Sequence, residues 1–132
     1  MLPLFIIRNK LLAEPAKLGR WGERYCERYL RRMGLECIAR NFSINTGEID
    51  LVMADGDVLV FVEVKTRASE NFAKAQEAVN HTKRMRMISA TKYFIGKYKL
   101  RDKPVRFDVV AVVLPERGSP EIRHYKNAFG MV

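Results

Sequence analysis

Cysteine and histidine are scarce in this chain: Cys26, Cys37, His81 and His124 are all that its 132 residues contain of either type. The cysteines have no metal-ligand companions nearby, and the histidines stand far apart without acidic or cysteine neighbours at ligand spacing, so a zinc site is not expected. Two thiols do not make a disulfide framework either, and both are expected as reduced, small packing residues. There is no glycine-rich phosphate loop, no Gly-x-Ser-x-Gly nucleophile turn and no internal repeat. The apolar run in the opening MLPLFIIRNK is too short for a transmembrane helix. Its charges follow the apolar residues instead of preceding them as in a signal peptide, and a cytoplasmic location is expected.

Acidic residues are also in deficit. Fifteen Asp and Glu face 24 Lys and Arg, a net charge of +9, which favours a polyanionic partner, nucleic acid before an anionic membrane surface. The length and a 48% hydrophobic composition suit a single domain with one core. Residues 1–17 show no clear period and are expected as an N-terminal extension, mobile or interface-forming, ahead of one domain over 18–132.

Within that domain, Leu18, Trp21, Tyr25, Tyr29 and Met33 recur every three or four positions and predict a helix over Leu18 to Met33, stopped by Gly34. Arginines stud this helix, and on its pattern alone Glu23 reads as a surface ion-pair partner, a role of little energetic weight. A first strand follows over Leu35 to Ile44. The periodicity then predicts a long helix over Ala73 to Tyr98, with Ala78, Met85, Ile88 and Ile95 toward the sheet and Lys83, Arg86 and Lys97 in one narrow basic sector. Val105 to Leu114, VRFDVVAVVL, is too continuously apolar for a half-exposed strand. It is predicted to be central and parallel to Val58–Lys65, with Asp108 paired to Arg106 or a helix residue. Glu121 to Tyr125 reads as an edge strand before an Asn127-Ala128-Phe129 tail.

The stretch Gly47 to Arg67, GEIDLVMADGDVLVFVEVKTR, concentrates the chemistry. Two strand-like runs flank Asp55-Gly56, a strong hairpin signal. With those two residues as the turn, Asp50 faces Phe61 and Glu48 faces Glu63. One face then carries Ile49, Leu51, Met53, Val58, Val60, Val62 and Val64, all apolar, and is assigned to the core. The other sets Glu48, Asp50, Glu63 and Lys65 among Val52, Leu59 and Phe61. Two carboxylates ~5 Å apart repel by roughly 3 kcal/mol at an effective dielectric of about 20. A solvated acidic face is one reading. The other is a partly covered cleft holding a hard cation such as Mg²⁺, which takes one or two carboxylates together with water and substrate phosphate.

Helix, strand, a hairpin bearing Asp50 and then Glu63-Val64-Lys65, helix and strand, in that order, resemble the PD-(D/E)xK nuclease superfamily. More closely, Gly22-Glu23, Gly47-Glu48-Ile49-Asp50, Phe61-Val62-Glu63-Val64-Lys65, Arg106-Phe107-Asp108-Val109-Val110 and Asn127-Ala128-Phe129 resemble the YraN-like family of small bacterial proteins, itself similar to archaeal Holliday-junction resolvases. The resemblance spans about Gly19 to Phe129. It implies an α/β, restriction-endonuclease-like, three-layer core, with a mixed sheet made of an antiparallel hairpin and a parallel strand after a crossover helix. It implies Asp50, Glu63 and the Val64 carbonyl as ligands of Mg²⁺ or Mn²⁺, Lys65 and Glu23 as further catalytic residues, and Glu48 as an accessory one. Arg67, Lys83 and Arg86 are then expected to meet nucleic-acid phosphates. The function implied is metal-dependent DNA endonuclease, on branched or junction DNA, acting as a homodimer. A non-catalytic nucleic-acid-binding module or a protein-interaction scaffold on the same fold are the alternatives.

Overall fold

The computed structural model describes residues 4–68 and 80–131. The N-terminal segment is helical: α1 spans Leu4–Ala13, and α2, Pro15–Arg32, follows after Glu14. Pro15 sits at the start of α2, where its missing N–H is no loss and its fixed φ suits the helix, so the two helices are separate. Helix α1 packs on α2, and Arg8 Nε donates to the Leu114 carbonyl at 3.1 Å. Helix α2 ends as the sequence predicts. Gly34 takes φ +98°, the Leu35 amide donates back to Leu30 and the Gly34 amide to Arg31, each at 3.0 Å. Leu30 and Leu35 pack in the same core, which completes a Schellman stop.

Five strands form one mixed sheet in the order β1-β2-β3-β4-β5: β1 Glu36–Ile44, β2 Gly47–Asp55, β3 Val58–Arg67, β4 Val105–Val113 and β5 Glu121–Phe129. All neighbours are antiparallel except β3 and β4, which run parallel with Phe61 beside Phe107 and Glu63 beside Val109. Helix α3, His81–Lys97, lies in the connection between that parallel pair. The expected α/β class and mixed sheet are therefore found, with β4 interior and β5 an edge strand that extends through Asn127, Ala128 and Phe129.

Each face of the sheet has its own buried cluster. Cys26 and Leu30 of α2 pack with Leu51, Met53, Val60, Val62, Val110 and Val112. Met87, Ile88, Ala90, Phe94 and Ile95 of α3 pack with Ile49, Val52, Leu59, Phe61, Phe107 and Val109. Alternation along β3 puts these sets on opposite sides, giving three layers. Leu59 and Phe61, expected in a partly covered cleft, are core residues under α3. Ile49 departs from its expected neighbours Leu51 and Met53 and joins the α3 side, because β2 changes course at Asp50.

The hairpin register also differs from the expected one. Asp55 stays in the ladder opposite Val58, and the turn is Gly56-Asp57, with positive φ at Gly56 and not at Asp57. Glycine first is the II′ pattern, whose twist matches the strands as well as I′ does. The ladder runs from Asp55–Val58 to Leu51–Val62, so Asp50 is next in line opposite Glu63 instead of Phe61.

Helix α3 begins later than its periodicity suggests. Asn80 is extended (φ −73°, ψ 177°) and its side chain accepts the Lys83 amide at 2.9 Å, an N-cap that no continuous helix from Ala73 could contain. Ala78 lies outside the described residues. Met85 is exposed, while Met87 and Phe94 hold the buried positions.

Gly22 and Gly47 set how closely the helices approach the sheet. A Cβ on Gly22 would overlap the Thr66 hydroxyl of β3, and one on Gly47 would overlap the Arg86 carbonyl of α3. A side-chain hydroxyl can rotate away, but helix backbone cannot. Gly47→Ala is therefore expected to cost about 1–3 kcal/mol, measured by urea unfolding, and Gly22→Ala less.

Candidate active site

Where the β2–β3 ladder ends, the next amide in line, that of Val64, donates to Asp50 Oδ2 at 2.8 Å. A carboxylate has replaced a main-chain carbonyl, which holds Asp50 at the point where the two strands part. Glu63, opposite it, is 3% exposed. Its Oε1 lies 3.3 Å from Lys65 Nζ and 3.4 Å from Lys83 Nζ. Its Oε2 is buried with no hydrogen-bond partner among the described residues. Burial, reinforced by the Asp50 charge, pushes the Glu63 carboxyl up to about 7, against the pull of Lys83 and Lys65.

The other expected residues gather around this pair. Glu48 binds Lys83 at 3.3 Å and Arg86 at 3.4 Å. Burial would raise its carboxyl, but these two cations outweigh it and hold it low. Lys83 in turn is raised, since Glu63, Asp50 and Glu48 together overcome its desolvation. Glu23 reaches in from α2: burial and then Asp50 raise its carboxyl, while a hydrogen bond from Asn41 and the charge of Arg20 oppose them. The structure thus brings Glu23, Glu48, Asp50, Glu63, Val64 and Lys65 together. It also draws in Lys83 and Arg86, expected to face phosphates, as counter-ions of the carboxylates. Arg67 stays outside, exposed at the end of β3, with Nη1 donating to the Thr66 carbonyl at 3.3 Å.

Asn41 is a residue that periodicity did not find. It stands in β1 between the pairs Arg40–Leu51 and Phe42–Ile49, hence opposite Asp50, with φ +50°. Asparagine tolerates that left-handed geometry better than its β-forming neighbours. An asparagine inside an otherwise strand-like run was the available signal. Glu27, also on α2, is held by Arg40 at 2.6 and 2.8 Å and by Arg31 at 2.9 Å.

Asp108 belongs to a separate buried network. It is fully buried and accepts from Arg106 (2.9 and 3.1 Å), bonds His124 Nε2 (2.7 Å) and accepts the Asn127 amide (2.9 Å). The pairing with Arg106 is as expected. His124, which lacks acidic neighbours in sequence, has one in space.

Asp50 and Glu63 supply hard oxygens, one of them buried and unpartnered, and this donor set fits a small divalent cation. Among the described residues no three His, Cys, Asp or Glu side chains form a ready-made metal cage. Water and substrate would have to complete the coordination, as Mg²⁺ sites commonly require. Also among the described residues, no helix is long and apolar enough to cross a membrane.

Residues 22–112 match the family model described as Uncharacterised protein family UPF0102. That span contains Glu23, Asn41, Glu48, Asp50, Glu63, Lys65, Lys83 and Arg86. The chain is similar to the UPF0102 protein of Solibacter usitatus, 44% identical over 117 residues and 87% of each chain. It is 38% identical to that of Legionella pneumophila over 112 residues, 84% of this chain and 92% of the relative. To the protein of Herminiimonas arsenicoxydans it is 42% identical over 127 residues, 96% of each chain. With a matched model over most of its length and relatives of this similarity along nearly all of it, the chain belongs to the UPF0102 family, the one its motifs resembled as YraN-like.

Proposed function

We propose that the protein is a Mg²⁺- or Mn²⁺-dependent endonuclease that hydrolyses DNA phosphodiester bonds. The observation that carries this reading is the buried, unpartnered Glu63 Oε2 beside Asp50, with Lys65 Nζ 3.3 Å from the other oxygen of the same carboxylate. A buried carboxylate oxygen without a partner is costly in a purely structural role. A bound Mg²⁺ would satisfy it, polarise the phosphate and lower the pKa of an attacking water.

This chain's own residues have separable tasks. Asp50, fixed by the Val64 amide, and Glu63, fixed by burial, present two oxygens at a set spacing and need little reorganisation on binding. Lys65 is anchored by Glu63 and keeps protons to donate toward a phosphate oxygen or the attacking water. Glu23 approaches from the opposite layer and offers a carboxylate whose proton affinity is raised by burial and Asp50, suited to accept a proton near neutrality. Lys83 and Arg86 neutralise Glu48 and Glu63 in the metal-free protein, which keeps four carboxylates compatible with one small volume.

The test is cleavage of labelled single-stranded, duplex, flap and four-way-junction DNA with millimolar Mg²⁺ or Mn²⁺, beside thermal melting with and without the metal. Metal-dependent cleavage and a metal-dependent rise in melting temperature are expected. Lys65→Ala should keep the rise and lose cleavage, because the lysine serves the reaction and is no ligand. A wild type blind to both metals in melting and inert on every DNA would overturn the reading.

A further inference from the structure

Beside Glu23, on the side away from α3, α2 and β1 enclose a cleft of about 120 Å³ lined by Arg20, Glu23, Arg24, Glu27, Arg40 and Asn41, with Leu51 at its base. We infer that this cleft is the subsite for a DNA phosphate flanking the scissile one, with Arg20 and Arg24 as its cationic wall. The inference rests on the nuclease reading for the word flanking, but its binding component is separable from it.

The charges of the cleft are unequally committed. Arg40 gives Nε and Nη2 to Glu27 at 2.6 and 2.8 Å, and Arg31 adds a further contact at 2.9 Å, so Glu27 is neutralised twice. Glu23 is engaged by the Asn41 side chain. Arg20 and Arg24, one helical turn apart and both exposed, are held in no ion pair among the described residues. Two adjacent guanidiniums facing a concavity whose carboxylates are already satisfied suit a tetrahedral oxyanion, which arginine binds through paired N–H groups. The size agrees: the cleft exceeds the ~30 Å³ share of a water and falls short of the ~300 Å³ of small-molecule pockets, room for a phosphate and not for a nucleoside.

Position ties the cleft to the reaction. Glu23 forms its shared wall with the carboxylate cluster, since Asp50 is near enough to raise the Glu23 carboxyl. Asn41 faces the cleft and stands opposite Asp50, in a left-handed conformation that the strand would not adopt by itself. Such conformations persist where the surrounding structure demands them. A strand of DNA with one phosphate at Asp50 and Glu63 therefore has its neighbour within reach of α2. The cations previously expected to grip phosphates, Lys83 and Arg86, are occupied by Glu48 and Glu63 on the other side of the cluster.

The experiment is fluorescence anisotropy of a labelled duplex and a labelled four-way junction, without metal, across a salt series. The double variant Arg20→Ala/Arg24→Ala is compared with Arg32→Ala/Lys92→Ala, which removes the same charge from exposed positions outside the cleft. The cleft variant should bind about tenfold more weakly at low salt, and its salt slope should fall by about two while its metal-dependent melting shift is kept. The control variant should lose clearly less. Equal losses in both would show diffuse attraction and overturn the inference even if the wild type cleaves DNA. A selective loss in a protein that never cleaves and never responds to metal would sink the nuclease reading and leave the cleft as a DNA-binding site. Should the double variant fail to melt cooperatively, Arg24→Gln carries the same comparison against Arg32→Gln.

Discussion

Asp50→Asn is expected to abolish metal-dependent cleavage and the metal-induced rise in melting temperature while leaving the metal-free protein at least as stable as the wild type. The amide oxygen of asparagine can still accept the Val64 N–H, so the local hydrogen bond survives. What disappears is a negative charge beside Glu63 and Glu23, each of which it raises. In the wild type Glu63 holds its proton more tightly folded than unfolded. Its contribution to stability is therefore present below the ordinary glutamate value of 4.5 and is lost as pH climbs through about 7. Asp50→Asn should shrink that loss, so its advantage over wild type should be largest at pH 8 and smallest near pH 4.5. Thermal melts of both proteins over this range, with and without metal, decide the matter. A variant less stable at pH 8 would mean that Asp50 is a structural carboxylate.

The second large effect concerns Asp108 and stability alone. Replacing this buried carboxylate by alanine strands Arg106 and His124 together with the Asn127 amide. Breaking a buried pair from one side costs about 3–5 kcal/mol, or roughly 10–20 °C in melting temperature for a domain of this size. Burial alone would raise the Asp108 carboxyl, but hydrogen bonds from His124, Arg106 and the Asn127 amide hold it below its ordinary value of 3.8. Its stabilisation is accordingly full above that value and is lost only as pH falls through the depressed one. The wild type should show an acid limb there that Asp108→Ala lacks. An alanine variant melting within a few degrees of wild type would refute this account.

Local pattern reached most of the elements and stopped at contacts between them. The Schellman stop at Gly34, the meander, the parallel placement of Val105–Leu114 and the convergence of Asp50 with Glu63 all follow from spacing, turn residues and motif order. The hairpin register did not, since both Asp55-Gly56 and Gly56-Asp57 make acceptable two-residue turns. The choice goes to the register that keeps Asp55 in the ladder, 3.1 Å from Arg106 of β4. The wheel of α3 put Lys83 and Arg86 in one sector correctly, yet no periodicity could say that this sector faces Glu48. Arg40 with Glu27 and Asn41 with Glu23 join α2 to β1, and nothing local announces such pairs. Where sequence reasoning failed inside the site, it failed on partners and not on positions.

Glu23 and Glu48 each follow directly on a glycine that is jammed against a neighbouring layer, Gly22 against Thr66 and Gly47 against the Arg86 carbonyl. The carboxylates are thus indexed to the backbone like teeth on meshed gears, one on each face of the sheet. Their placement tolerates little play, and a shift of ~1 Å at a reacting group can cost about 100-fold in rate. A substitution that touches neither DNA nor metal can therefore silence the site by changing the spacing of its layers, and variants mapped to either seam should be understood as mechanical before they are taken as chemical.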